Sequence, residues 1–182
     1  MFVELLVLLA TGIENVFTTS PPDTECVYED PIRVSPIWSM GVTTKTLYVA
    51  AHVSIGAAAV YFFGEEQNTE DILVPLGVLF LGQALRLWCR YELAGSFTYK
   101  LAPPEKLVKT GPYRYFAHSG YLGSLMMVMG AGTILLPIIP YFFVIGTTCM
   151  SLSARIRDEE AMLYAKFGDE WTIFVHTRII SY

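Results

Sequence analysis

The amino-acid sequence predicts an all-α integral membrane protein with about five transmembrane helices. The chain has 182 residues, of which 53% are hydrophobic and 16% are charged, whereas a typical soluble domain has about 25% charged residues. Its apolar residues lie in segments that approach the roughly 20 residues needed to cross a bilayer. The formal net charge of −5 argues against general nucleic-acid binding. The length predicts a single domain, residues 1–182.

Three apolar segments precede the basic part of the sequence. The first, at about 2–17, contains Glu4 and Glu14, so a helix lying on the membrane surface is the alternative to a span. The second and third lie at about 43–64 and 72–89. Both are long enough and apolar enough to predict spanning helices.

The fourth and fifth apolar segments predict a helical hairpin over about 121–152. They lie at about 121–136 and 138–152, and Pro137 and Pro140 are placed where they meet. Proline disrupts helices and favours turns, so this junction predicts a tight turn between antiparallel helices. Each half is short, and we expect tilting or local thinning of the bilayer.

The charges outside the apolar segments predict the orientation in the membrane. The loop at 64–71 is acidic, whereas the loop at 90–117 carries five basic residues. The positive-inside rule places the basic loop in the cytosol. Because spans alternate, the C-terminal tail is expected on the same side.

The C-terminal tail predicts a cytosolic helical extension of the fifth helix. Residues 153–166 contain no glycine or proline, and good helix formers dominate. Gly168 is expected to end this helix, and Asp169 and Glu170 to begin a short final one, because acidic residues favour helix N-termini.

Two clusters of polar residues could carry chemistry. The first follows the Gly111-Pro112 turn and combines aromatic rings, Arg114, His118 and glycines that permit close backbone approach; such a set suits an aromatic, partly anionic ligand. An interfacial aromatic belt is the alternative. The second cluster, 155–160, could bind a polar ligand or be a solvated helix face. The histidines and cysteines are widely spaced, and no metal site is predicted.

The two clusters together resemble the signatures of the isoprenylcysteine carboxyl methyltransferase family. The family pattern Leu-Val-x-x-Gly-Pro-Tyr-x-x-x-Arg-His-Pro-x-Tyr-x-Gly is similar to residues 107–123, and Arg-x-x-x-Glu-Glu-x-x-Leu-x-x-x-Phe-Gly-x-Glu-Tyr to residues 155–171. The stretch from Leu85 to Thr98 also resembles the family. The resemblance covers roughly 75–178, which would be the cofactor- and substrate-binding core, and residues 1–70 would be variable N-terminal helices.

The resemblance implies a membrane enzyme that uses S-adenosylmethionine to methylate the C-terminal carboxylate of a prenylated cysteine. The active site would face the cytosol, the lipid tail would come from the bilayer, and the membrane would be the endoplasmic reticulum. Arg155 would hold the substrate carboxylate. The cofactor contacts that the resemblance implies are Thr98, Glu105, Lys106, Leu107, Val108, Tyr113, His118, Ser119, Gly120, Tyr121 and Glu159.

Residues 107–123 depart from the family pattern at two positions. Ala117 replaces an arginine and Ser119 replaces a proline on either side of His118. These departures leave two alternatives open. The acceptor could be a phospholipid or a lipophilic small-molecule acid, or the chain could be an inactive membrane-embedded binding paralogue.

Overall fold

The computed structural model describes Val53, residues 69–94 and residues 103–178. Every regular element in this part of the chain is helical, which confirms the predicted all-α class there. Four α-helices and a 3-10 turn at Gly111–Arg114 follow in order. The helices are α1 (Thr69–Leu93), α2 (Ser119–Leu135), α3 (Ile138–Phe167) and α4 (Asp169–His176).

Two of these helices, α1 and α3, are long and apolar enough to cross a membrane, and α2 is a shorter apolar helix. The third predicted span corresponds to α1, and the fourth and fifth correspond to α2 and the first half of α3. The predicted spans at 2–17 and 43–64 lie outside the described residues. The count of about five spans therefore stays a prediction.

Helices α1 and α2 are antiparallel, and glycines bring their backbones into close contact. A Cβ atom added at Gly123 would lie 2.9 Å from the carbonyl oxygen of Gly82, and one at Gly130 would lie 2.5 Å from that of Pro75. Small residues allow this kind of helix packing in membranes. The close backbone approach predicted for the glycines of the first polar cluster is confirmed at Gly123, and its neighbour is α1.

The predicted hairpin is confirmed as α2, a two-residue turn and α3. The amide of Leu136 donates to the carbonyl of Gly132 at 2.9 Å, and the amide of Tyr141 donates to that of Pro137 at 2.9 Å. A core of buried apolar side chains joins the turn to α1; it comprises Ile72, Leu79, Val128, Ala131, Ile134, Leu135 and Val144. Residues 119–154 contain no Asp, Glu, Lys, Arg or His, so the hairpin is suited to a hydrocarbon environment.

The predicted extension of the last long helix is also confirmed. Helix α3 runs for 30 residues without a break, and Gly168 ends it with a φ of +53°, which glycine adopts readily. Helix α4 then folds back so that Trp171 and Phe174 are buried against Met162 and Leu163 of α3. We call residues 153–167 the charged half of α3.

Candidate active site

The first turn of α2 is joined to the charged half of α3 by two side-chain contacts. The hydroxyl of Tyr121 donates to Oε2 of Glu159 at 2.6 Å. Nε2 of His118 lies 3.0 Å from Oε1 of Glu160. These contacts place two carboxylates that are adjacent in sequence against His118, which immediately precedes α2, and Tyr121 in its first turn. They bring the two polar clusters of the sequence together.

Arg155 lies one helical turn before Glu159 on α3, and its guanidinium interacts electrostatically with Tyr121 and with Asp158. A positive and a negative side chain therefore both act on the Tyr121 hydroxyl. Such an arrangement can hold a ligand that carries both charges, since charge-assisted hydrogen bonds are stronger than neutral ones.

Tyr113 lies in the 3-10 turn and is directed into the same site. A Cβ atom added at Gly120 would lie 3.7 Å from its hydroxyl, and its ring packs against the Met162 and Trp171 cluster. Burial raises the pKa of Tyr113 far above its ordinary value, and the neighbouring Cys89 thiol raises it further. The phenol therefore stays neutral at physiological pH and can donate a hydrogen bond.

Helix α4 forms the outer wall of the site. The rings of His118 and Trp171 meet edge to face, with centroids 6.0 Å apart. Leu107 and Ala117, in the loop before α2, pack on the apolar cluster of Met162, Leu163, Trp171 and Phe174. The site is therefore surrounded by aromatic and apolar side chains, which reduce its contact with water.

The loop before α2 is fastened to α1 and α4. Oε2 of Glu92 accepts a hydrogen bond from the Thr110 hydroxyl at 2.6 Å, and its Oε1 accepts one from the indole of Trp88 at 3.1 Å. Nζ of Lys109 lies 2.7 Å from Oε1 of Glu170. These contacts hold the loop at Lys109 and Thr110, just before the 3-10 turn that contains Tyr113.

Ser119 shows how the chain accommodates the absence of proline at this position. Its side chain is completely buried, and its hydroxyl donates to the carbonyl of Phe116 at 2.7 Å. This bond fixes the residues just before α2, where proline would restrict the backbone through its ring. The start of α2 is therefore ordered although serine stands where the family pattern has proline.

Replacing Ser119 with alanine is expected to lower the stability of the protein by about 1–2 kcal/mol, since a buried hydrogen bond is lost. Thermal unfolding in detergent, followed by circular dichroism, measures this effect. Thr133→Ala is the control, because the Thr133 hydroxyl also bonds within its helix, to Met129, but is exposed. Equal melting temperatures for both variants would contradict the role assigned to Ser119.

Arg86 is a residue of this region that the prediction of site residues did not include. It is 8% exposed, and its Nη1 donates to the carbonyl of Gly120 at 3.2 Å and to the hydroxyl of Ser124. The signal was present in the sequence, because an ionised residue within an apolar segment is a candidate for function.

The predicted cofactor residues fall into two groups. Tyr113, His118, Ser119, Gly120, Tyr121 and Glu159 lie together around the site, and Leu107 packs on the apolar cluster beside it, whereas Glu105 and Lys106 are exposed and Val108 is half-buried. Thr98 lies outside the described residues. Within residues 69–94 and 103–178, no group of three or more His, Cys, Asp or Glu side chains could hold a metal ion.

A cleft of about 190 Å³ lies between α2 and α3 next to these residues. His118 and Tyr121 line one end, and the remainder is mainly apolar. The other lining residues are Phe116, Ala117, Leu122, Leu125, Cys149, Leu152, Ser153 and Ile156. The site thus combines a charged, aromatic cluster with an apolar cleft.

A comparison with protein families agrees with this geometry. The family model described as isoprenylcysteine carboxyl methyltransferase (ICMT) family matches residues 73–165, about half of the chain. The matched range includes most of α1, the whole of α2 and the charged cluster of α3. No curated protein matches the chain.

Proposed function

The chain belongs to the isoprenylcysteine carboxyl methyltransferase family, and we propose that it uses S-adenosylmethionine to methylate the C-terminal carboxylate of a prenylated cysteine. It is a methyltransferase of this type and an integral membrane protein. The observation that carries the proposal is the cluster of Tyr121, Glu159 and Arg155 beside the apolar cleft. The cluster contains a positive side chain, Arg155, and a negative one, Glu159. The cleft has a mainly apolar lining, which suits a lipid.

The residues around Glu159 fit S-adenosylmethionine. When bound, this cofactor supplies an electrophilic methyl group on a cationic sulfonium. The Glu159 carboxylate would bind a hydroxyl or ammonium group of the cofactor, and the faces of Tyr113 and Tyr121 would attract the positive sulfur.

Arg155 would hold the acceptor. A carboxylate is already ionised at neutral pH, so this chain needs no strong general base to activate it. Arg155 would orient one carboxylate oxygen, which contributes to the rate through alignment. The apolar cluster around Trp171 would exclude water, and this strengthens the electrostatic interactions within the site.

The proposal places the charged half of α3 and the loop before α2 on the cytosolic side of the endoplasmic reticulum membrane. The basic residues of that loop support this orientation through the positive-inside rule. Residues 75–178 would form the cofactor- and substrate-binding core of a single domain. The lipid tail of the acceptor would reach the site from the bilayer.

The test is a methylation assay on the purified full chain in detergent. Labelled S-adenosylmethionine is supplied with N-acetyl-S-farnesylcysteine, with a phospholipid, or with neither. Label in a base-labile methyl ester of the farnesylcysteine is the expected result. Transfer to the phospholipid alone, or cofactor binding without turnover on any acceptor, would contradict the proposed reaction.

Arg155→Ala is expected to raise the KM for farnesylcysteine by about tenfold or more, since a charge-assisted hydrogen bond to the acceptor is lost. Cofactor affinity is expected to change much less. Arg157→Ala is the matched control, because Arg157 is exposed two residues away and donates to the carbonyl of Ser153. Equal KM values for the two variants would refute the role of Arg155.

A further inference from the structure

Arg86 is an ionised residue in the interior of the contact between α1 and α2. It is 8% exposed, and it lies in a helix that is long and apolar enough to cross a membrane. Ionised side chains are rare within spanning segments and commonly mark functional positions. Residues 72–91 and 119–154 contain no Asp or Glu. A guanidinium therefore occupies a position where an apolar side chain would suit the surroundings.

The guanidinium of Arg86 holds the first turn of α2 by its backbone. Its Nη1 donates to the carbonyl of Gly120 at 3.2 Å and also to the hydroxyl of Ser124. That hydroxyl donates in turn to the same carbonyl at 3.2 Å. The three groups form a closed set of hydrogen bonds, to which the planar guanidinium contributes donors in a fixed geometry. The set fixes α2 relative to α1 at Gly120.

Glycines bring Arg86 within reach of that carbonyl. A Cβ atom added at Gly82 would lie 2.7 Å from the carbonyl oxygen of Gly123, and one added at Gly123 would lie 3.2 Å from Cβ of Arg86. The side chain of Arg86 therefore begins beside Gly123 and runs along α2 for about one turn to Gly120. Close packing leaves it little conformational freedom, which makes the constraint on Gly120 rigid.

Gly120 adjoins the side chains of the candidate active site. A Cβ atom added there would lie 3.7 Å from the Tyr113 hydroxyl and 3.9 Å from Cβ of Cys89. The next residue, Tyr121, donates to Glu159 of α3 at 2.6 Å. A shift of the backbone at Gly120 therefore moves the Tyr121 hydroxyl relative to Glu159 and changes the space next to Tyr113.

We propose that Arg86 is a positioning residue of the cofactor site, which acts through the Gly120 carbonyl to set the distance between the Tyr121 hydroxyl and Glu159. The inference rests on the proposed function, because that function assigns Tyr121 and Glu159 to S-adenosylmethionine. Arg86 lies on α1 and Glu159 on α3, so the effect of Arg86 on the cofactor passes through α2. A misplacement of about 1 Å costs about a hundredfold in rate.

Arg86→Met tests the inference, because methionine is apolar, unbranched and suited to a spanning helix. We expect the dissociation constant for S-adenosylmethionine, measured by isothermal titration calorimetry in detergent, to rise by about tenfold. We expect kcat per cofactor-binding molecule to fall by about tenfold or more. The KM for farnesylcysteine is expected to change by less than about twofold, since Arg155 would hold the acceptor. Unchanged cofactor affinity, or an equal loss of affinity for both substrates, would overturn the inference.

Two further variants separate positioning from stability. Arg86→Lys retains a charged donor for the Gly120 carbonyl, so it is expected to lose less cofactor affinity than Arg86→Met. Leu79→Ala is the control, because Leu79 is fully buried on the same helix but belongs to the apolar core. It is expected to lower the melting temperature and to leave the cofactor affinity of the folded protein unchanged. Equal losses of affinity in Leu79→Ala and Arg86→Met would overturn the inference.

A double-mutant cycle tests the path through Gly120 without turnover. Arg86→Met and Tyr121→Phe both act on the contact with Glu159, so the dissociation constant of the double variant is expected within about twofold of that of the weaker-binding single variant. Leu79→Ala and Tyr121→Phe share no partner, and their effects are expected to multiply. Multiplication of the effects in both cycles would overturn the inference.

These measurements separate failure of the inference from failure of the proposed function. Coupling between Arg86 and Tyr121 in cofactor binding, without methyl transfer to any acceptor, would support the positioning role and refute the proposed reaction. Methyl transfer by the wild-type protein, with effects that multiply, would support the reaction and refute the positioning role. Absence of cofactor binding by the wild-type protein would refute both.

Discussion

Glu159→Gln is expected to weaken the binding of S-adenosylmethionine by about tenfold to a hundredfold. The substitution keeps the shape of the side chain but removes its charge, and a hydrogen bond to a charged group contributes about 1.5–3 kcal/mol. The same change weakens the 2.6 Å contact with the Tyr121 hydroxyl. Isothermal titration calorimetry of the detergent-solubilised protein measures the dissociation constant.

Two further variants test whether the loss of cofactor affinity is specific to the charge of Glu159. Tyr121→Phe removes the hydroxyl partner while retaining Glu159, so a smaller loss of affinity is expected. Glu170→Gln is the control, because it removes an equal charge from α4. Glu170 pairs with Lys109 and is 55% exposed, and exposed pairs contribute little. A dissociation constant for Glu159→Gln within twofold of the wild-type value would refute the assignment.

Gly130→Leu is expected to prevent stable assembly of α1 with α2. The added Cβ would lie 2.5 Å from the carbonyl oxygen of Pro75 and 2.7 Å from the amide nitrogen of Leu79. Both neighbours are backbone atoms, so the helices must separate rather than adjust a side chain. Overpacking in a close-packed interior costs about 1–3 kcal/mol, and separation of two backbones adds to that cost.

Size-exclusion chromatography and thermal unfolding in detergent measure the loss of folded Gly130→Leu protein. Gly146→Leu is the matched control, because nothing lies within 4 Å of a Cβ atom added at Gly146. That control is expected to keep or raise the melting temperature, since leucine favours helix by roughly 1 kcal/mol over glycine. Similar losses in both variants would contradict the packing argument.

The main features of the described fold could be predicted because they depend on local sequence. Pro137 ends one apolar segment and begins the next, and Gly168 interrupts a run of helix formers. Both residues act through the backbone at their own positions, so no information about distant parts of the chain is needed. For the same reason, the continuation of α3 through Arg155 and Glu159 was predictable.

The pairings within the site depend on distant residues and could not be predicted in the same way. Tyr121 and Glu159 are 38 positions apart, and His118 and Glu160 are 42 positions apart. Spacing along one helix predicts contacts only between residues three or four positions apart. The structure shows that Glu159 accepts a hydrogen bond from α2, because the hairpin brings that helix alongside.

The two-residue turn of the hairpin has a consequence for how the chain tolerates changes in length. Tyr121 and Glu159 meet only because a continuous helix, a fixed turn and a second continuous helix connect them. One inserted residue within α2 or α3 would shift the later part of the helix by about 1.5 Å and rotate it by about 100°. Functional relatives are therefore expected to vary in length outside this hairpin, which would be inherited as a unit of constant length.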